Sequence, residues 1–319
     1  MSDSGPENTG DNWDRKILEK VALAAVQEQR RSRQWGIFFK LLMFIYLFVL
    51  LFIGMGWFVK KDGLPGKHTA LVEIRGVIAA GSSASADNVM AGLQEAFKDK
   101  GTQGVILRIN SPGGSPVQAG YINDEIRRLR AKHPKIPLYA VVEDICASGG
   151  YYIAVAADRI YIDKASIIGS IGVLMDGFGF TGLMDKLGIE RRLLAAGENK
   201  GFLDPFSPIL DSQKEYAEKM LGEIHQQFIT VVRQGRGKRL KETPEMFSGL
   251  LWTGQKSIEL GLADALGGVD YVAREVIKSE DIVDFTLREN IAERVARKFG
   301  AAMAETLVRL GAVGSLNLR

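Results

Sequence analysis

"GVILRINSPGGSP", residues 104–116, compresses a strand, a turn and the start of a helix into one stretch. Its short aliphatic run, "GVILRIN", reads as a strand. Pro112-Gly113-Gly114 stops that run, and helical spacing follows over 116–132. The same order recurs downstream: "PLYAVVE" (137–143) reads as strand, 148–157 as helix and "RIYID" (159–163) as strand. Upstream, "TALVEIRGVI" (69–78) opens the series with strand-like alternation. Strands alternating with helices predict an α/β fold with parallel pairing. Further on, 211–233 predicts a long amphipathic helix capped by Asp211, and 257–277 a helix, turn and helix.

The bulk composition fits a globular domain: 46% hydrophobic and 25% charged residues over 319 positions are enough to bury a core. A net charge of +3, with no basic stripe interleaved with aromatics beyond the N-terminal tail, argues against nucleic acid as a partner. The single cysteine, Cys146, can form no intramolecular disulfide and rules out a zinc site built from several thiolates.

One stretch is not globular. "LLMFIYLFVLLFIGMGWFV" (41–59) carries no charge and is long enough to cross a hydrocarbon core of about 30 Å as a helix. It runs into Trp57-Phe58-Val59-Lys60-Lys61 and lacks a small-residue cleavage site, so it reads as a retained anchor. Arg15, Lys16, Lys20, Arg30, Arg31, Arg33 and Lys40 precede it, against Lys60, Lys61 and Lys67 just after, which places the N-terminus in the cytoplasm. The expected organisation is a cytoplasmic tail (1–36), an anchor (37–60), a linker (61–68), a globular domain (69–279) and a C-terminal amphipathic helix and tail (280–319). Within the tail, 13–34 has apolar residues near helical spacing with Asp14 placed to cap, which fits either a short amphipathic helix or a solvated basic flank.

Two strand ends could carry chemistry. In "RINSPGGSP" (108–116) the glycines permit unusual backbone angles, so their N–H groups could face a ligand oxygen; an ordinary tight turn accounts for the same residues. In "DICASGGYYIA" (144–154) Ser148 precedes a helix, where unpaired N–H groups can stabilise an oxyanion. Serine is also favoured there simply as an N-cap. Two such turns on successive units can meet at the carboxyl edge of one sheet, which strengthens the catalytic reading.

A serine nucleophile needs a base. His68 lies in the linker, His133 follows a helix, and His225 sits within the long helix; none is placed for a triad. A lysine serves if burial lowers its pKa from about 10.4 to roughly 7–8. Lys164, Lys186 and Lys200 are candidates, Lys200 lying in "AGENKGFLDPF" between a strand and the long helix. Spacing alone leaves the choice open.

"NSPGGS", "ASGGYYIA", "IGSIGV" and "GENKGFLDPFSP", in this order behind an anchor, resemble the signal peptide peptidase A family of membrane-anchored serine-lysine proteases, in its short, single-repeat form. The likeness spans residues 69 to 275 or so. It implies a crotonase/Clp-protease-like superhelix of ββα turns, with Ser148 as nucleophile, Lys200 as general base and Ser170 as the hydroxyl that orients the lysine. The backbone N–H groups of Gly114 and Gly149 resemble the oxyanion hole, with Gly113 their neighbour. The resemblance further implies a homo-oligomeric ring in which a neighbouring subunit supplies the lysine.

The expected function is therefore a serine endopeptidase of the bacterial inner membrane, acting outside the cytoplasm on remnant signal peptides or other membrane-proximal peptides. Its partners are peptide substrates, the membrane lipid around the anchor and copies of itself. No Walker loop or His-Glu-x-x-His helix is present, so no cofactor or metal is expected. The rivals are a related protease for a dedicated membrane-protein substrate, a non-catalytic membrane scaffold, and an acyl-CoA enzyme of the crotonase kind.

Overall fold

The computed structural model describes residues 9–54 and 66–288. Residues 9–54 form one helix, α1 (Thr9–Gly54). The separate juxtamembrane helix expected over 13–34 is thus the first part of a longer one, and Asp14 lies inside it rather than at its cap. No proline interrupts this stretch, and a lone internal Gly36 costs only about 1 kcal/mol relative to alanine, too little to break the helix. Its segment Glu28–Leu51 is long and apolar enough to cross a bilayer. Residues 55–60 of the expected anchor, and the C-terminal helix expected beyond 288, lie outside the described residues.

The second unit is built on β1 (His68–Arg75), β2 (Thr102–Ser111) and β3 (Leu138–Ala147), joined in parallel through α2 (Ala86–Lys98) and α3 (Pro116–Lys132). Helix α3 has the limits expected from sequence, because Ser115-Pro116 starts it and His133-Pro134 ends it. Alternate residues of the strands face two cores. Ala70, Val72, Ile74, Leu107 and Ile109 join the larger one beneath the helices; Leu71, Ile106 and Val141 join a smaller one on the other face. Burial of each of the larger aliphatic side chains contributes about 1.5–3 kcal/mol, and burial on both faces explains the unbroken apolar runs.

Strand β3 then changes partner. Its first half, Tyr139–Val142, pairs with β4 (Arg159–Ile162), and its last residues, Ile145–Ala147, pair with β5 (Ile167–Gly169). The short helix α4 (Gly149–Ala154) lies between β3 and β4 along the chain. After α5 (Thr181–Leu187) and α6 (Asp211–Arg236), β6 (Leu251–Thr253) closes the edge antiparallel to β5. The chain then runs through α7 (Gly254–Glu259), β7 (Ala265–Leu266) and α8 (Val269–Tyr271), which continues as a wider π-helical turn over Val272–Ile277. The last strand, β8 (Ile282–Asp284), pairs parallel to β1, so the sheet extends past the limit at 279 expected from sequence. This eight-stranded mixed sheet, with its split third strand, is a fold of the crotonase and Clp-protease kind.

Three local expectations need correction. Asp211 is the first residue of α6, with Leu210 in the cap position. The turn expected within 257–277 contains β7, a two-residue strand held by pairing to β4 and too short to show a period. The strand expected before Lys200 is absent: after α5 the chain runs irregularly through residues 189–196, with Leu194 97% exposed. An extended segment becomes a strand only with a partner ladder, and none adjoins it among the described residues.

Candidate active site

The carboxyl ends of β2, β3 and β5 converge. Ala147 pairs with Gly169, so Ser148 and Ser170 are the next residues along neighbouring strands, and the Ser148 N–H donates to the Gly169 carbonyl at 2.8 Å. Both serines leave their strands with positive φ, 51° and 50°. Non-glycine residues rarely adopt that conformation, and holding it costs about 1–3 kcal/mol. At Ser148 the angle turns the chain sharply into α4, and the serine side chain makes no capping bond to that helix.

The glycine turn after β2 packs directly against this serine. A Cβ added to Gly113 (φ 102°) would lie 2.7 Å from Ser148 Cβ and 2.8 Å from the Gly149 nitrogen. Only glycine fits such a position, on both space and conformation. A Cβ on Gly149 would lie 3.3 Å from the Gly114 nitrogen, so the two amides are close neighbours beside Ser148. The Gly113 N–H is already engaged, donating to Ser111 Oγ at 3.1 Å. Ser111 Oγ in turn donates to the Gly76 carbonyl at 2.7 Å, tying the turn to the end of β1. Ser111 stood unassigned within the "NSPGGS" motif, and this bonding is its contribution.

These elements line a cleft of about 550 Å³ that includes Gly114, Ser148, Gly149 and Ser170. Tyr152 and the α6 residues Ile224, Gln227 and Phe228 are also among its walls. The α6 residues lie some 75 positions from Ser148 and gave no local signal in the sequence. His225 donates from Nε2 to the Ile171 carbonyl at 3.1 Å, fastening α6 to the residue after Ser170. The acceptor is a carbonyl, so Nε2 carries the proton. Cys146 is fully buried, and burial pushes its thiol well up, which keeps it from forming the reactive thiolate.

Lys200 stands apart. It is exposed, lies in a series of turns between Gly197 and Ser207, and does not line the cleft. The carboxylate of Asp204 organises this loop, accepting from Ser207 Oγ at 2.7 Å and pairing with Arg191 at 3.3 Å. Those bonds, the Ser207 hydroxyl foremost, hold its carboxyl below the usual range. Of the six residues singled out from sequence, Ser148, Ser170, Gly113, Gly114 and Gly149 come together, and Lys200 does not join them within one chain.

The comparisons with known proteins fit this geometry. The model of Peptidase family S49 matches residues 130–282. A protein of Synechocystis carrying a protease name is 30% identical over 201 residues, covering 63% of this chain and 70% of that one. One of Enterococcus faecium carrying the name signal peptide peptidase SppA is 27% identical over 237 residues, 72% of this chain and 68% of that one. A protein of Brucella melitensis named Na(+)/H(+) antiporter NhaA is 48% identical over 175 residues, 55% of this chain and 24% of that one. The chain thus spans about a quarter of the length of that last relative.

Proposed function

Because the chain belongs to peptidase family S49, we propose that it is a membrane-anchored serine endopeptidase in which Ser148 is the nucleophile and Lys200 the general base. The observation that carries the reading is Ser148 itself. It is held at φ 51° without capping its helix, and the Gly114 and Gly149 amides stand beside it. A conformation with that cost and no structural return belongs to a residue whose hydroxyl must be presented to a substrate.

Neutral Lys200 takes the Ser148 proton as Oγ attacks the peptide carbonyl. The Gly114 and Gly149 N–H groups hold the oxyanion, and the lysine ammonium then protonates the departing amine. Water, deprotonated by the same lysine, releases the acyl group. Ser170, next to Ser148 across the strand pair, orients the lysine amine. Gly113 shapes the turn, its own N–H being committed to Ser111.

The lysine comes from a neighbouring copy. Lys200 lies outside the cleft of its own chain, on a segment whose apolar side chains Leu193, Leu194, Ile209 and Leu210 are exposed. Packing that arm against another subunit buries those side chains and carries Lys200 to a second cleft. The substrates are extended peptides near the membrane, remnant signal peptides among them. The excess of cations ahead of the apolar helix supports a domain outside the cytoplasm.

Treatment with a serine-acylating peptide inhibitor followed by mass spectrometry tests the nucleophile. A covalent adduct on Ser148 is expected. Adduct on another serine, with Ser148 unmodified in a folded and active preparation, overturns the assignment.

A further inference from the structure

The edge of the sheet opposite the cleft has its own character. Strands β1, β2 and β3 are parallel, with a register shift between β1 and β2 at His68/Thr69, and Gly66–His68, Asp99–Thr102 and His133–Leu138 gather at their amino ends. The His68 N–H donates to the Gly101 carbonyl at 3.0 Å, and the chain enters the domain at this point. Helices α2 and α3 run back against the strands and also end here, at Lys98 and Lys132. Lys98, Lys100, Arg128, Lys132 and His133 line one shallow cleft at this edge, with Lys67 and Lys135 exposed beside the strand starts.

The acidic groups beside this cleft are occupied, whereas Glu280 and Asp281, exposed at the amino end of the neighbouring β8, make no ion pair among the described residues. Asp99 lies 3.4 Å from His68 and accepts from the Gly101 N–H, Glu125 pairs with Arg128 at 2.6 Å, and Glu95 with Lys98 at 3.7 Å. Lys67, Lys100, Lys132 and Lys135 make no ion pair among the described residues. Complementing a helix dipole accounts for Lys98 and Lys132, which sit in last turns. It does not account for Lys67, Lys100 and Lys135, which lie outside any helix.

We propose that this cationic edge seats the domain on an anionic lipid surface. The proposal rests on the reading of α1 as a membrane anchor. Sixteen residues separate Leu51, the end of the apolar segment, from His68, so the edge is tethered within about 55 Å of the bilayer. That tether leaves the unpaired lysines free to reach the headgroups, and each cation that comes within a Debye length of an anionic surface strengthens binding about fivefold. Strand β2, ten residues long, separates this edge from the glycine turn, so a seated domain carries its cleft about 30 Å above the surface. A peptide must then be extended out of the bilayer plane to be cut.

The test uses the full chain in vesicles. Cys146 is buried, so a cysteine introduced by Ala131→Cys, beside Lys132, takes a fluorophore selectively. Ser83→Cys, in the exposed loop after β1 on the cleft side, provides the control. Vesicles of phosphatidylcholine, with or without phosphatidylglycerol, carry a quencher on the headgroup of a trace lipid.

Quenching at 131 is expected to be several-fold stronger with phosphatidylglycerol, to fall away near ~1 M salt, where the Debye length is ~3 Å, and to be small at 83. The triple variant Lys100→Gln/Lys132→Gln/Lys135→Gln should lose it while cleaving a soluble peptide at the original rate. Equal quenching in both lipid mixtures, or stronger quenching at 83, overturns the proposal. Flotation with pure phosphatidylcholine vesicles reports the anchor separately. A chain that floats but shows no charge-dependent quenching sinks only the seated edge, and one that does not float sinks the anchor and the seat together.

Discussion

Ser115 and Ser148 each stand one residue before a helix, and each helix follows a strand of the same sheet. Ser115 has φ −61°, an ordinary value, and its Oγ accepts from the Gln118 N–H at 3.4 Å. Ser148 has φ 51° and makes no such bond. The following residues set the difference. Pro116 supplies the helical φ of the first turn and lacks an N–H that would need a partner, so the serine before it has only to cap. Gly149 and Gly150 instead let the backbone of Ser111 and Gly113 come close: a Cβ on Gly150 would lie 3.2 Å from the Ser111 carbonyl. The second turn is thus packed against the first, and its serine is turned away from its own helix. One turn spends its hydroxyl on stability, the other holds it in reserve at a conformational cost.

The largest effects should fall on the second turn. Ser148→Ala is expected to lower peptide hydrolysis at least about a thousandfold with the fold retained, since it removes the proposed nucleophile and leaves the core intact. Lys200→Ala should do the same from its distant loop. A mixture of the two inactive chains, allowed to exchange subunits, should recover part of the rate, because some junctions then pair an intact serine with an intact lysine. Exchange demonstrated by an independent label, without recovered hydrolysis, would place the pair within one chain.

Gly113→Ala comes next. The added methyl meets Ser148 Cβ at 2.7 Å in a backbone conformation costly for alanine, so the fold should lose about 2–4 kcal/mol. A shift of the serine by about 1 Å costs on the order of a hundredfold in rate. Denaturant titration and turnover on the same preparation separate the two losses. A variant with normal turnover would show that the contact between the turns has no bearing on catalysis.

Ser148→Gly is expected to raise stability by about 1 kcal/mol while abolishing turnover, because glycine accepts positive φ without the penalty serine bears. The gain is read from the denaturation midpoint against Ser148→Ala, which keeps the conformational cost. If both variants unfold at the same midpoint, no strain is stored at this residue.

How far this was legible in the sequence follows from what each feature depends on. Helix α3 and strands β1 to β3 depend on local punctuation and on residues buried on both faces, and these leave a pattern along the chain. Strand β7 depends on a partner a hundred residues earlier and spans two residues, so no period could reveal it. The glycines beside Ser148 were visible as a motif; the positive φ of Ser148 itself, and the commitment of the Gly113 N–H to Ser111, were not. Nor was the wall that α6 contributes, since Ile224, Gln227 and Phe228 read as the ordinary apolar face of an amphipathic helix. Lys200 illustrates the opposite case: its motif is distinctive, yet its own chain keeps it out of the cleft.

The smallest effect belongs to the first turn, and it tests whether the two serines differ in kind. Ser115→Ala removes a single capping acceptor from α3. Such losses cost about 0.5–2 kcal/mol, and the 3.4 Å separation puts this one at the lower end. The Ser115 N–H also donates to the Ile78 carbonyl at 2.8 Å, a backbone bond that alanine keeps. The neighbouring Gly114 amide should therefore stay in position, and turnover should remain within about twofold of the original. Ser115→Asp restores a capping acceptor and adds favourable charge at the start of α3, so it should recover the lost stability. A large fall in turnover for Ser115→Ala, with the denaturation midpoint unmoved, would mean that this hydroxyl also serves the cleft and that the two turns share the chemistry.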